Sequence, residues 1–312
     1  MASKLKGRSL LTLKEFSAAD IREVLDLSHR VKRERRSGKV KQRFRGKALA
    51  LLFEKRSTRT RCAFETSFGE EGGIPVFLST TDIHLGSKEP IEDTARILGS
   101  MFDAIQFRGY KQKTVETLAE YSGVPVYNGL TDDWHPTQVL ADLMTLEEVF
   151  GGLSGRRLAY MGDGRNNVAN TLLVGCAKMG VHVSIVAPPE LFPAAEHVEY
   201  AKKVGAETGA HVLVTSDIGE GLAGADAVYT DVWISMGEED KSAERIRLLT
   251  PYRVTAETMK KTGREDSIFL HDLPAVRGNE VTAEVLDGPK SLAWEQGENR
   301  KHTIKALLLL TI

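Results

Sequence analysis

The chain has 312 residues, 41% of them hydrophobic and 27% charged, and a formal net charge of -1. That length suits two domains, because single cores stop growing at roughly 250–300 residues. The near-neutral balance excludes a global basic field for nucleic acid, and no apolar run reaches the roughly 18 residues of a membrane span, so neither partner is expected. The opening "MASKLKGRSLLTLKEFS" lacks a signal-peptide apolar stretch. Cys62 and Cys176 give neither a disulfide framework nor a metal-ligand spacing. A reducing, cytoplasmic protein without a metal is the expectation.

In chain order, "RVKRERRSGKVKQR" (30–43) closes a helical pattern and reads as solvated surface. Short strands are predicted over 47–54, 75–79, 104–109 and 125–129, alternating with helical patterns such as "TRTRCAFETSFGEEGG" and "PIEDTARILGSMFD". This alternation argues for βαβ units and a parallel sheet. "HPTQVLADLMTLEEVFGGLSG" is an amphipathic helix closed by glycines and makes a natural connector. A second strand series follows over 157–164, 181–189, 226–233 and 267–274, with helices such as "NNVANTLLVGCAKMG" between. The closing "IKALLLLTI" reads as a buried helix end. The fold class is therefore α/β, with two domains, each a Rossmann-like parallel sheet flanked by helices.

Ligands of such sheets bind beyond the carboxyl ends of the strands. "FEKRSTRTRCAFE" (53–65) stands at the first of these ends, where backbone N–H groups and a helix dipole can face an anion. Taken alone, it is equally a capped helix with exposed cations. Matching groups recur elsewhere: Arg108 after "AIQF", His135 and Gln138 around a helix-starting proline, and Arg300 at the start of the last helix. Arg, His, Gln and hydroxyl groups gathered at four ends suggest a phosphorylated, carbonyl-bearing ligand. "GDGRNN" lacks the third glycine of a dinucleotide fingerprint, so no nucleotide cofactor is expected.

The ordered motifs "FEKRSTRTR", "FRG", "HPTQ", "GDGRNN", "DVWISMGEE", "HDLPA" and "ENRKHT" resemble the aspartate/ornithine carbamoyltransferase family over the whole chain. "SMG" after "DVW" marks the ornithine branch. The resemblance implies a carbamoyl-phosphate-binding domain over 1–150, to which a C-terminal helix (about 290–312) returns, and an ornithine-binding domain over 151–289. It implies transfer of the carbamoyl group of carbamoyl phosphate to L-ornithine, giving L-citrulline and phosphate. Ser57, Thr58, Arg59 and Thr60 would cradle the phosphate; Arg108, His135, Gln138 and Arg300 would hold the carbamoyl oxygen, amide and phosphate. Among these, Arg59, Arg108 and His135 are the catalytic candidates, as donors to developing charge. Leu273 and His84 complete the carbamoyl-phosphate set, His84 from a loop that reaches a neighbouring subunit, which implies a homotrimer or an assembly of trimers. For ornithine, the resemblance implies Asn167 on the α-carboxylate, Asp231 on the α-amino group, and Ser235 and Met236 in a loop that closes over the amino acid.

One position departs from the pattern. The family usually writes Cys where this chain has Asp272, beside the reacting amine. An amine of pKa near 10.4 is neutral to only about one part in a thousand near neutral pH. A carboxylate can take its proton as a general base, yet also favours the charged form. Asp272 therefore leaves open a different acceptor, such as lysine, putrescine or an acylated ornithine. A non-enzymatic Rossmann-like binding protein is the remoter alternative, since it would need none of the clustered Arg, His and Gln residues.

Overall fold

The computed structural model describes residues 4–39, 41–80, 83, 85, 88–234 and 242–312. It divides into two units, Met1–Met144 with Asn299–Ile312, and Thr145–Glu298. Both divisions fall inside long helices, Pro136–Phe150 and Ala293–Thr311.

In the first unit, α1 (Ala18–Arg36) precedes β1 (Ala48–Phe53), α2 (Thr58–Gly69), β2 (Ile74–Ser79), α3 (Ile91–Met101), β3 (Ala104–Arg108), α4 (Gln112–Ser122), β4 (Val126–Leu130) and the start of α5 (Pro136–Phe150). The sheet runs β2-β1-β3-β4, every pair parallel. Its inner strands are apolar and buried along almost their whole length, as a sheet covered on both faces requires. Ala50, Leu52, Ile105, Phe107 and Val126 pack against Ala95, Leu98, Val115 and Leu118 of α3 and α4. On the other face, Phe64 of α2 meets Tyr127. Tyr127 bonds through its hydroxyl to Thr311 of the final helix.

In the second unit, β5 (Arg157–Met161), α6 (Asn167–Lys178), β6 (His182–Val186), α7 (Ala195–Thr208), β7 (Val212–Thr215), α8 (Ile218–Leu222), β8 (Ala227–Thr230), α9 (Ser242–Leu249), α10 (Ala256–Lys260), β9 (Ile268–His271), α11 (Ala283–Leu286) and the start of α12 (Ala293–Thr311) follow; the rest of α12 belongs to the first unit. The order β7-β6-β5-β8-β9 is again wholly parallel. Strand β7 is absent from the sequence expectation. Its residues VLVT are apolar and β-favouring, but the run is only four residues long, and a short apolar run does not by itself distinguish a strand from part of a helix.

Two further expectations change. Arg300 does not open the last helix, which begins at Ala293 and runs through Gly297 without a break. The basic stretch over 30–43 is not simply solvated: Lys32 is buried on Asn299, Lys41 pairs with Glu34, and Arg43 with Glu34 and Glu71. No helix among the described residues is long and apolar enough to cross a membrane.

Candidate active site

Both sheets reverse strand order once, between β1 and β3 and between β5 and β8, and α/β sheets form ligand crevices at such points. Ser57 to Thr60 and Arg108 stand at the ends of β1 and β3, and Asn167 and Asp231 follow β5 and β8, at these reversals; His135 and Gln138 follow the edge strand β4, Asp272 and Leu273 the edge strand β9, and Arg300 lies within the last helix.

In the first unit, Ser57 is the N-cap of α2. It is extended at φ -160 and ψ 124, and its hydroxyl accepts from Thr60 N–H at 3.2 Å. Thr58, Arg59 and Thr60 form the first turn, which carries no acidic residue to offset the positive helix end. The Thr60 hydroxyl is fully buried and accepts from two guanidinium groups, Arg108 Nη1 at 3.1 Å and Arg300 Nη2 at 2.8 Å. Two like charges brought onto one neutral oxygen repel each other, so the arrangement favours an anion. The flanking cations are otherwise engaged: Lys55 pairs with Asp132 and lies over Tyr110, while Arg61 pairs with Glu65 and stacks on Phe77.

The aim of Arg108 depends on a bulge. Phe107 pairs with Asn128 but Arg108 with Leu130, which leaves Gly129 as the extra residue. A Cβ at Gly129 would stand 2.4 Å from Gln106 Nε2, 3.0 Å from the Thr60 methyl and 3.2 Å from Phe107 O. Only glycine fits there without displacing a neighbour.

His135 precedes α5 and is buried. Burial, then the charges of Arg300, Arg108 and Arg59, push its pKa well below the usual histidine value. Its imidazole is therefore neutral and suited to hydrogen bonding rather than to carrying a second positive charge. Gln138, one turn on, donates from Nε2 to Asp142 Oδ1 at 2.8 Å.

The second unit gathers a different set. Asn166, not Asn167, caps α6, its Oδ1 accepting from Ala169 N–H at 2.8 Å. Its Nδ2 donates to Asp231 Oδ2 at 3.0 Å and to the Tyr160 hydroxyl at 2.6 Å. Asn167 is the first residue of the helix and half-buried. Asp231 follows β8, is buried, and accepts from Val232 N–H. Burial and the neighbouring Asp272 charge drive its pKa well above the usual carboxylate range. Burial, Asp231 and Asp272 likewise push Tyr160 up.

Asp272 follows β9, which ends at His271, with His271 Nδ1 to Asp272 Oδ1 at 3.5 Å. Burial opposes charge on His271, but Asp272 and the buried Glu280, 3.4 Å from Nε2, raise its pKa. When neutral, His271 accepts at Nδ1 from Leu273 N–H at 2.8 Å; when protonated, it can instead donate to Asp272. Leu273 is the one non-glycine residue at positive φ among those described, 56°, a backbone cost that persists at functional sites. Asp231, His271 and Asp272 are also the one group of three potential metal ligands among the described residues. A cation there would compete with Leu273 N–H for the Nδ1 lone pair. His84, Ser235 and Met236 lie outside the described residues.

Sequence reasoning named one residue of several working pairs and missed the other: Asn166 beside Asn167, His271 beside Asp272, Asp142 beside Gln138. Asn166 was readable as the residue before the helix, and Asp142 as one turn past Gln138 on the same helix. Tyr160 and Glu280 carry no local signal.

Family models match both halves of the chain. Residues 8–148 match the aspartate/ornithine carbamoyltransferase carbamoyl-P binding domain, and 154–311 the Asp/Orn binding domain of the same family. The chain is 66% identical over 312 residues, covering 100% of both, to the ornithine carbamoyltransferase of Caldanaerobacter subterraneus subsp. tengcongensis. It is 61% identical, again over 100% of both chains, to that of Pseudothermotoga lettingae. Among solved structures, the ornithine carbamoyltransferase from Pyrococcus furiosus superposes with a TM-score of 0.96 at 41% identity, covering 100% of this chain and 98% of that one. With domain matches in both halves and full-length relatives at this identity, the chain belongs to the aspartate/ornithine carbamoyltransferase family.

Proposed function

We propose that the residues of the first unit bind carbamoyl phosphate and those of the second bind L-ornithine, for a reaction that gives L-citrulline and phosphate. The observation that carries this reading is the convergence of Arg108 and Arg300 on Thr60, beside a neutral His135. The α2 N-terminus with Ser57, Thr58 and Arg59 takes the phosphate. Arg108, His135 and Thr60 donate to the carbamoyl oxygen as negative charge builds on it.

The ornithine α-carboxylate lies at the start of α6, near Asn167, and the α-amino group on Asp231. Asp272 accepts a proton from the side-chain amine. The freed nitrogen lone pair then forms the C–N bond, the C=O pair moves to oxygen, and collapse expels phosphate with the electrons of the old C–O bond, while the surplus proton on the attacking nitrogen passes to the departing phosphate. His271 and Glu280 stand behind Asp272 to share the proton it accepts. No cofactor takes part.

The protein works in the cytoplasm, consistent with two free cysteines, and copies associate as a trimer or in multiples of it. Its apolar edge strand β2, with Ile74 at 61% exposure, supports association. Steady-state citrulline formation with ornithine, against lysine, putrescine, acylated ornithine and aspartate, tests the substrate reading. Faster carbamoylation of any other amine would overturn it.

A further inference from the structure

We propose that Asp142 is a positioning residue that fixes the donor–acceptor polarity of carbamoyl recognition and so selects a carbamoyl donor over other acyl phosphates. The proposal rests on the reading that carbamoyl phosphate binds beside His135 and Gln138.

Gln138 and Asp142 are one turn apart on α5 and both fully buried. A primary amide has a donor end and an acceptor end, and a half-turn about its last bond exchanges them. A carboxylate accepts only. With one Nε2–H held on Asp142 Oδ1 at 2.8 Å, the orientation of the amide is set and Oε1 is held on the side away from Asp142. That oxygen is buried and has no hydrogen-bond partner among the described residues. An acceptor buried without a donor is costly, so the site is built to receive an N–H or O–H. Gln138 lies in the first turn of α5 and donates its backbone N–H to His135 O at 3.1 Å, and the ring of His135 lies within the field of Arg300, Arg108 and Arg59.

The carbamoyl –NH2 supplies the missing donor. The methyl group of acetyl phosphate has nearly the same size and shape but no donor. A site that hydrogen-bonds a substrate N–H discriminates far more strongly against an analogue lacking it than an apolar pocket can. Without Asp142, the Gln138 amide is free to turn its –NH2 toward the carbamoyl –NH2, donor against donor, and selectivity falls.

Asp142→Asn keeps the size but lets either end of the amide at 142 face Gln138. The expected result is a rise in the KM for carbamoyl phosphate of about tenfold or more, the scale of one lost hydrogen bond. Competitive inhibition by acetyl phosphate weakens much less, and inhibition by inorganic phosphate is unchanged. The double variant Gln138→Glu, Asp142→Asn restores the polarity. The new amide at 142 donates to the new carboxylate at 138, whose other oxygen again accepts, and the pair keeps one negative charge. Recovery of the carbamoyl phosphate KM in the double variant is a result that a merely structural role for Asp142 does not produce. The inference is overturned by an unchanged carbamoyl phosphate KM in Asp142→Asn, or by failure of the double variant to recover it. Gln138→Leu separates the two readings: if it leaves the KM unchanged, the placement of the carbamoyl group is wrong and this inference falls with it. If it raises the KM while Asp142→Asn does not, only the role of Asp142 is lost.

Discussion

At the residue scale, charge is arranged oppositely in the two groups. Around Thr60, cations face one another across a neutral hydroxyl, and burial together with their charge holds His135 neutral. The sign follows directly: a histidine with a lowered pKa stays neutral as pH falls through its ordinary 6.5, and gains its proton only at lower pH. Consequently kcat/KM for carbamoyl phosphate is expected to show no acid limb at 6.5 from this ring. An inflection there that disappears in His135→Asn would contradict this.

Around Asp231, carboxylates crowd together, and burial with the Asp272 charge keeps a proton on the pair. Since Asp272 also favours the charged form of the amine it must deprotonate, Asp272→Cys is expected to shift the pH optimum of kcat/KM for ornithine downward. A pH–rate profile matching that of the unmodified enzyme would refute the charge argument. The same crowding makes Asp231 cost stability at neutral pH. A raised pKa means the folded state binds the proton more tightly, so stability falls as pH climbs from the unfolded value of 3.8 toward the folded one. Asp272→Asn is therefore expected to raise the thermal midpoint at neutral pH while slowing turnover.

At the element scale, the bulge in β4 and the anchoring of α12 determine where side chains point. Gly129→Ala would press a methyl onto Gln106 and the Phe107 carbonyl, at an expected cost of about 1–3 kcal/mol in stability. It also raises the KM for carbamoyl phosphate by re-aiming Arg108. Adding Gln106→Ala removes the nearest clash, so denaturant unfolding of the double variant should recover most of the loss.

Helix α12 is tied to the C-cap of α2 through Glu70, which meets Lys301, Lys305 and Arg35. Burial pushes the Glu70 carboxyl up, but the hydrogen bonds from Lys301 and Lys305 outweigh it and hold it at about 2. A depressed carboxylate stabilises the fold above its unfolded value of 4.5, and that contribution is lost as pH falls toward about 2. Solvent screening limits each such pair to about 0.2–1 kcal/mol. Glu70→Gln should lower the thermal midpoint at neutral pH and leave it nearly unchanged near the folded pKa; an equal loss at both would point to packing instead.

At the scale of the whole molecule, the chain writes one architecture twice, and each copy presents polar residues beyond the ends of its strands, some at a strand-order reversal and some at an edge strand. The first sheet leaves β2 as an exposed edge, with Ile97 and Met101 of α3 also exposed at 52% and 67%. Unpaired apolar edges of this kind seek a partner. Sedimentation at working concentration is expected to give a multiple of three chains, and Met101→Glu with Ile97→Lys is expected to lower that mass.

Most of the fold was legible because its signals are local. Continuous apolar strands such as "ALALLF", helix patterns between them, and glycine punctuation need no knowledge of distant residues. Strand β7 escaped although "VLVT" is apolar, because a run of four residues is too short to be told from a helix segment by pattern alone. The N-terminal turn of α2 was legible for the same local reason: Ser57 to Thr60 are consecutive residues. By itself the sequence determined the family, the two parallel sheets and the residue types at their ends. Only the tertiary structure decided which partners those residues take. Hydrogen bonds from Arg300 to Thr60, 240 residues apart, and from Asn166 to Asp231, 65 apart, join positions that no periodicity relates. The direction of the pKa shift on His135 or Asp231 likewise depends on burial and on charges brought near by folding.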